Sequence, residues 1–178
     1  MNQDNLTFRA ATAADIDAVV ALAESAYRGD SGRRGWTTES DLLGGRRTGP
    51  DEVEVMLSKP RSMVLLGERG DPPALVACAH IAALDEVGYF GLFTVDPALQ
   101  GAGIGKRVLD EAERIVRDDW RLSTIQMTVI NVREELIQYY LRRGFRRTGK
   151  FLPFPYGDAR FGLPKRDDLS FEVLEKTV

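Results

Sequence analysis

Residues 94–116, TVDPALQGAGIGKRVLDEAERIV, constrain this chain more than any other segment. An apolar strand runs into Asp96-Pro97, then Gln100-Gly101-Ala102-Gly103-Ile104-Gly105, then a helix. Ile104, Val108, Leu109, Ala112, Ile115 and Val116 lie on one side of that helix. A strand, a glycine turn and a helix in this order aim unpaired backbone N–H groups and the positive helix end at one spot. That spot suits a phosphate or pyrophosphate, because glycines let the anion approach the backbone. Two phosphate-binding patterns fail here. The P-loop needs glycine where Gln100 stands and Ser or Thr where Arg107 stands. The dinucleotide fingerprint begun at Gly101 meets Lys106 where glycine or alanine belongs, and begun at Gly103 it meets Val108. A third pattern, Gln/Arg-x-x-Gly-x-Gly/Ala, is satisfied by Gln100, Gly103 and Gly105. A glycine turn without a ligand also fits so short a match, so its surroundings must decide.

The rest of the chain reads as mixed α/β. Leu6 to Arg9 is a short strand, and Thr12 can cap a helix carrying Ile16, Val19, Val20, Ala23 and Tyr27 at helical spacing. An Arg- and Gly-rich stretch follows, then a short helix around Glu39 to Leu43 capped by Thr37 or Thr38. A further helix opens at Pro50 and stops at Pro60. Ser62 to Arg69 and Ala74 to Leu84 are strands separated by the turn GDPP, and Tyr89 to Val95 is the next. After the helix from Gly103 to Asp119 come a strand, Ser123 to Ile130, a helix, Arg133 to Arg143, and a strand, Phe145 to Phe151. Leu169, Phe171 and Val173 alternate in a last strand. With no repeat or linker, residues 1–178 read as one domain around one core.

A formal net charge of −3 points away from nucleic-acid binding and from a polybasic membrane anchor. One cysteine, Cys78, and one histidine, His80, exclude an intramolecular disulfide and leave no zinc site of the usual donors, so no metal is expected. The start of the chain lacks a signal-peptide pattern and no stretch is long enough to span a bilayer. A cytoplasmic location is the expectation.

Further along the chain stands Tyr140-Leu141-Arg142-Arg143-Gly144-Phe145, on a helix that leads into a strand. Together with the glycine turn and the element order, it resembles the GNAT superfamily of N-acetyltransferases. The resemblance implies a GNAT fold, in which helices flank a mixed central sheet whose strands splay apart at the acyl-CoA site. It implies acetyl-CoA as cosubstrate, with its pyrophosphate on the amides of Gln100, Gly101, Ala102, Gly103, Ile104, Gly105 and Lys106. The pantetheine arm would pair with backbone around Phe93 and Val95. The acetyl group would pass directly to a primary amine, of a small molecule or a protein, in a ternary complex. Tyr140 occupies the place of the tyrosine that protonates the departing thiolate.

Two departures from the family pattern stand out. Many relatives carry a carboxylate on the strand before the glycine turn, whereas YFGLFTV has none. Many also carry asparagine seven residues before the tyrosine, where Arg133 stands. The general base is thus open among Glu39, His80, Glu86 and Asp158. Cys78 and His80 share a strand face, but same-face neighbours lie roughly 7 Å apart, which argues against a thiol–imidazole pair.

Two segments offer acceptor-site material. In one, Arg33 and Arg34 form a clamp for an anionic group beside Trp36 and Glu39, or else a solvated loop. The other, PFPYGDARFG, contains Tyr156 and Asp158 and reads as a stiff pocket wall or as ordinary loop packing. A homodimer is compatible with the sequence. The rival functions are a coenzyme A-binding module acting as sensor or scaffold, and nucleotide binding by an unrelated α/β fold.

Overall fold

The computed structural model describes residues 5–29 and 38–178. Its elements are β1 (Thr7–Ala10), α1 (Ile16–Tyr27), β2 (Leu43–Gly44), α2 (Pro50–Ser58), β3 (Ser62–Arg69), β4 (Ala74–Leu84), β5 (Val87–Val95), α3 (Ile104–Arg114), β6 (Thr124–Ile130), α4 (Glu134–Arg142), β7 (Arg146–Pro153), β8 (Leu163–Pro164) and β9 (Ser170–Thr177). Seven strands form one sheet in the order β1-β3-β4-β5-β6-β9-β7, and β2 and β8 form a separate ribbon. Every neighbouring pair in the large sheet is antiparallel except β5 and β6, which run parallel. The architecture is the mixed, helix-flanked sheet that the sequence implies.

The helices cover both faces because each carries one apolar stripe. Val19, Ala23 and Val53 of α1 and α2 pack on Val64, Leu66, Cys78 and Leu92. On the opposite face, Ile104, Val108, Leu109 and Ala112 of α3 and Ile137 of α4 join Leu65, Ala79, Ile81 and Phe90. The expected helix over 103–119 is α3 followed by one wider turn, Ile115–Asp119, closed by Trp120 N–H on the Ile115 carbonyl (3.0 Å).

Two expectations need correction. No helix forms around Glu39 to Leu43. Instead the Glu39 carbonyl accepts from both Leu42 and Leu43 N–H (2.8 Å each), a single turn. Gly45 then adopts φ +72° and Leu43–Gly44 pairs with Leu163–Pro164, so a distant loop captures the segment before a second turn can form. The last strand is also not a one-sided alternation. Glu172, Val173 and Leu174 are all buried in succession, with Arg147 3.5 Å from the Glu172 carboxylate.

Candidate active site

Strand β5 decides where a ligand can enter. It pairs with β6 only at Gly88↔Ile125 and Tyr89↔Gln126, and beyond Tyr89 the two strands part. On its other side, the β4–β5 register shifts between Cys78 and His80, and Leu92 adopts φ +48°. This bulge places an extra residue in β5 at the mouth of the gap. Asp96 N–H bonds back to Val76 on the β4 side (2.8 Å), so alternation turns the backbone of Val95 and Phe93 toward the gap. Both carbonyls there have partners, the Tyr27 hydroxyl on Phe93 and Gln100 Nε2 on Val95 (3.2 Å). Backbone contact with a ligand therefore falls to the N–H groups, or needs these side chains to move.

At one end of the gap lies the glycine turn. Gly103 caps α3 at φ +78° with no side-chain cap, and the first intrahelical bond runs from Arg107 N–H to the Gly103 carbonyl (3.3 Å). The amides from Gly103 to Lys106 precede that bond and are the orphan donors of the first turn. A Cβ built at Gly101 or Gly103 meets nothing within 4 Å, which leaves an open cradle before those donors. Gly105 is different: its Cβ would stand 3.2 Å from Phe93 and 3.3 Å from the Tyr139 hydroxyl. That glycine serves packing. Ala102 N–H closes a turn on Leu99 (3.3 Å), and Lys106 pairs with Asp110 (2.6 Å) on the exposed side of α3.

At the other end the gap opens into a cavity of about 670 Å³. Tyr140 lines it, edge-on to Tyr139 and Phe145, and its hydroxyl makes no hydrogen bond among the described residues. Burial pushes the Tyr140 phenol well above its usual pKa, with Tyr27 and Tyr139 adding to the effect. Tyr139, its neighbour on α4, is buried too. It lies under Gly105 of α3, with Arg143 stacked 5.0 Å from its ring centroid, because α4 packs against both the sheet and α3.

The candidate bases fare differently. Glu39 is buried in the cavity wall between Arg28 (2.9 Å) and Arg133 (3.3 Å), all three side chains 8–10% exposed. Arg133, in the asparagine place, thus ties α4 to the segment after α1. His80 lines the cavity, and burial, with help from the Lys59 charge, lowers its pKa to about 4. The Ser62 hydroxyl donates to Met56 (2.7 Å), so it accepts from His80 Nε2–H (2.9 Å), which leaves the lone pair on Nδ1 of a neutral ring. Cys78 faces the Leu92 carbonyl (3.9 Å) instead, and burial pushes its thiol up to about 12. Glu86 is exposed in the β4–β5 turn, outside the cavity.

Of the acceptor-site residues, Arg33, Arg34 and Trp36 lie outside the described residues. Tyr156 and Asp158 hold their loop together and do not line the cavity. The Tyr156 hydroxyl donates to the Arg166 carbonyl (3.0 Å) and accepts from Leu169 N–H (2.9 Å). Asp158 accepts from Arg160 N–H (3.1 Å) and pairs with the Arg160 guanidinium (2.6 Å), which holds its carboxyl below the usual range. Their neighbours Phe154, Pro155 and Phe161 form the wall instead. Tyr27, Arg28 and Arg47 also line the cavity, and nothing local in the sequence separates them from ordinary helix and loop residues.

A glycine cradle, a parting of two parallel strands and a tyrosine-lined cavity beyond it coincide with a family match. The model of the acetyltransferase (GNAT) family matches residues 19–145. The chain belongs to the GNAT family. No curated protein sequence matches it. Solved GNAT structures share its fold at low identity. The ribosomal-protein-S18-alanine N-acetyltransferase of Escherichia coli superposes with TM-score 0.69 at 12% identity, covering 97% of this chain and 94% of that one. A spermidine N-acetyltransferase mutant of Vibrio cholerae gives 0.68 at 12%, covering 97% and 93%. A GNAT acetyltransferase of Staphylococcus aureus gives 0.65 at 14%, covering 97% and 98%. As in these GNAT enzymes, acyl-CoA-dependent acetyl transfer is the activity of the family.

Within this GNAT site, Glu39 has a structural duty that can be tested. Glu39→Gln leaves two buried guanidinium groups without their shared carboxylate, which costs on the order of 3–5 kcal/mol. The expected result is a Tm lower by about 10 °C at this chain length. A variant with unchanged Tm and a large loss of kcat would instead make Glu39 the base.

Proposed function

We propose that the protein transfers the acetyl group of acetyl-CoA to a primary amine by direct attack in a ternary complex. The observation that carries this reading is that one gap, between β5 and β6, joins the open cradle at Gly101 and Gly103 to the cavity holding Tyr140. Acetyl-CoA supplies the thioester carbonyl. The orphan amides from Gly103 to Lys106 and the positive end of α3 would hold its pyrophosphate. Backbone N–H groups of Phe93 and Val95 would align the pantetheine arm, and those at the bulge would meet charge growing on the thioester oxygen. Tyr140 remains protonated and would donate to the departing sulfur. With Glu39 held by two arginines and His80 too weakly basic to take an ammonium proton, the amine would lose its proton to water.

The acceptors named for related structures, spermidine and a ribosomal-protein alanine, both present amines, and the cavity is wide enough for a flexible amine. The pairing of Glu39 with Arg28 and Arg133 favours one alternative, a coenzyme A-binding module with little turnover. Free-thiol release from acetyl-CoA, screened across primary amines, separates the two. Turnover well above the amine-free rate is expected. Coenzyme A binding by calorimetry with no turnover on any amine would support the module.

A further inference from the structure

The charges around the cavity do not balance. Among the described residues its wall contains two carboxylates, Glu39 and Glu52, and each has an arginine beside it. Glu39 lies between Arg28 and Arg133. Glu52 accepts from the Thr48 hydroxyl (3.0 Å) and Gly49 N–H (3.3 Å) on one oxygen, while its buried Oε1 makes no hydrogen bond and lies 3.5 Å from Arg46. Arg160, also in the wall, is neutralised by Asp158. His80 is neutral, and burial keeps the phenols of Tyr27 and Tyr140 protonated at neutral pH. That leaves Arg47. Its guanidinium lines the cavity and stacks 4.8 Å from the Tyr27 ring centroid, with no side-chain hydrogen bond or ion pair among the described residues.

This arginine is built in. Its backbone N–H and that of Thr48 (2.8 Å) both donate to Glu24 of α1, which fixes the loop. The Tyr27 hydroxyl beneath it bonds the Phe93 carbonyl, at the gap where the thioester would lie. A guanidinium fork with five donors matches a carboxylate in two parallel hydrogen bonds. A polyamine's second ammonium, by contrast, would find among the described residues only Glu39, already held by two arginines, and Glu52, whose Oε1 lies 3.5 Å from Arg46.

We infer that the acceptor carries a carboxylate close to its amine, and that Arg47 receives this carboxylate while the amine reaches the thioester beside Phe93. The inference rests on the acetyl-transfer reading and narrows it to amino-acid-like acceptors. Arg47 then sets specificity, and Arg28 and Arg133, already shared by Glu39, only strengthen the positive field at the site.

Three measurements test it on the full-length protein. Acetyl transfer is compared between L-methionine and 3-(methylthio)propylamine, between L-phenylalanine and phenethylamine, and with spermidine. The amino acids should exceed their decarboxylated partners by at least about tenfold in kcat/KM. Arg47→Met should erase that preference, chiefly by raising the acceptor KM on the order of 100-fold, with little change in KM for acetyl-CoA. Arg47→Lys should retain part of it. Because the cation has no hydrogen bond or ion pair among the described residues, and methionine keeps an apolar contact with the Tyr27 ring, the Tm of Arg47→Met should not fall below that of the native chain. Binding of N-acetyl-L-methionine to the coenzyme A complex, followed as a thermal shift, should disappear in Arg47→Met.

Turnover that favours spermidine or the decarboxylated amines would overturn the inference and leave acetyl transfer standing. So would an amino-acid preference unchanged in both variants. A thermal shift that depends on Arg47, without turnover on any amine, would leave the anion site standing and remove acetyl transfer. A lower Tm in Arg47→Met with unchanged amine preference would make Arg47 a structural cation.

Discussion

Replacing Tyr140 by phenylalanine is expected to lower kcat on the order of 100-fold and to leave Tm and acetyl-CoA affinity nearly unchanged. The stability half of this expectation follows from the packing. Phenylalanine keeps the ring that meets Tyr139 at 5.3 Å and Phe145 at 5.9 Å between centroids. The hydroxyl it removes has no protein partner among the described residues, so no buried acceptor is left unsatisfied.

The kinetic half follows from the direction of the pKa shift. Burial holds the Tyr140 phenol well above its usual pKa, so the proton is present throughout any ordinary assay range. The thiolate of a thiol with a pKa of about 8.5 is a weaker base than such a phenolate, so complete proton transfer from Tyr140 is uphill at every stage. The hydroxyl therefore acts as a hydrogen-bond donor to the sulfur as negative charge grows, and the released thiolate takes its proton from solvent. Losing that donor costs about 2.7 kcal/mol in the barrier if the effect is 100-fold. Tyr139→Phe should keep kcat near the native value, since its hydroxyl lies against Gly105 and away from the cavity. Single-turnover acetyl transfer, compared with steady-state thiol release, establishes that chemistry limits the rate. If both variants then keep full kcat, the thiolate leaves without help from Tyr140.

The sequence was most legible where local chemistry and tertiary context agree. The bounds of β3 and β4, Ser62–Arg69 and Ala74–Leu84, follow from apolar runs divided by GDPP, and the structure places them there. The stripe of α3 was equally plain, because one face of an amphipathic helix must be buried. The glycine turn carried its own geometry, since positive φ at Gly101 and Gly103 is what those residues allow.

What stayed hidden depends on partners far along the chain. The bulge at Leu92 exists only relative to β4, and an isolated YFGLFTV gives no sign of it. Glu39 reads as a candidate base until Arg133, 94 residues away, is seen beside it. Arg47 stands in GGRRTGP, which looks like a solvated loop, and only the fold over Tyr27 gives it a cavity. Tyr156 and Asp158 had the right composition for an acceptor wall, yet their own loop absorbs their hydrogen-bonding groups. Cavity walls are non-local, and residue type alone cannot assign them.

Gly103→Glu is expected to abolish the rise in Tm that acetyl-CoA and coenzyme A cause in the native protein. That rise comes from ligand binding to the folded state alone, and it grows with ligand concentration over Kd. The turn offers the anion two things, the orphan amides of α3 and close access to them. A glutamate at 103 removes both, because its carboxylate competes for the same amides and repels the pyrophosphate. Position 103 also has φ +78°, so any side chain there is strained by roughly 1–2 kcal/mol. Strain alone would lower the Tm of the unliganded variant without touching the ligand-induced shift. Gly103→Ala separates the two effects. Its methyl group carries the same strain and meets no protein atom within 4 Å, so it should fold and keep a reduced shift, while Gly103→Glu should show none. Should Gly103→Glu fold and still shift with coenzyme A like the native chain, the pyrophosphate lies elsewhere and the cradle loses its ligand.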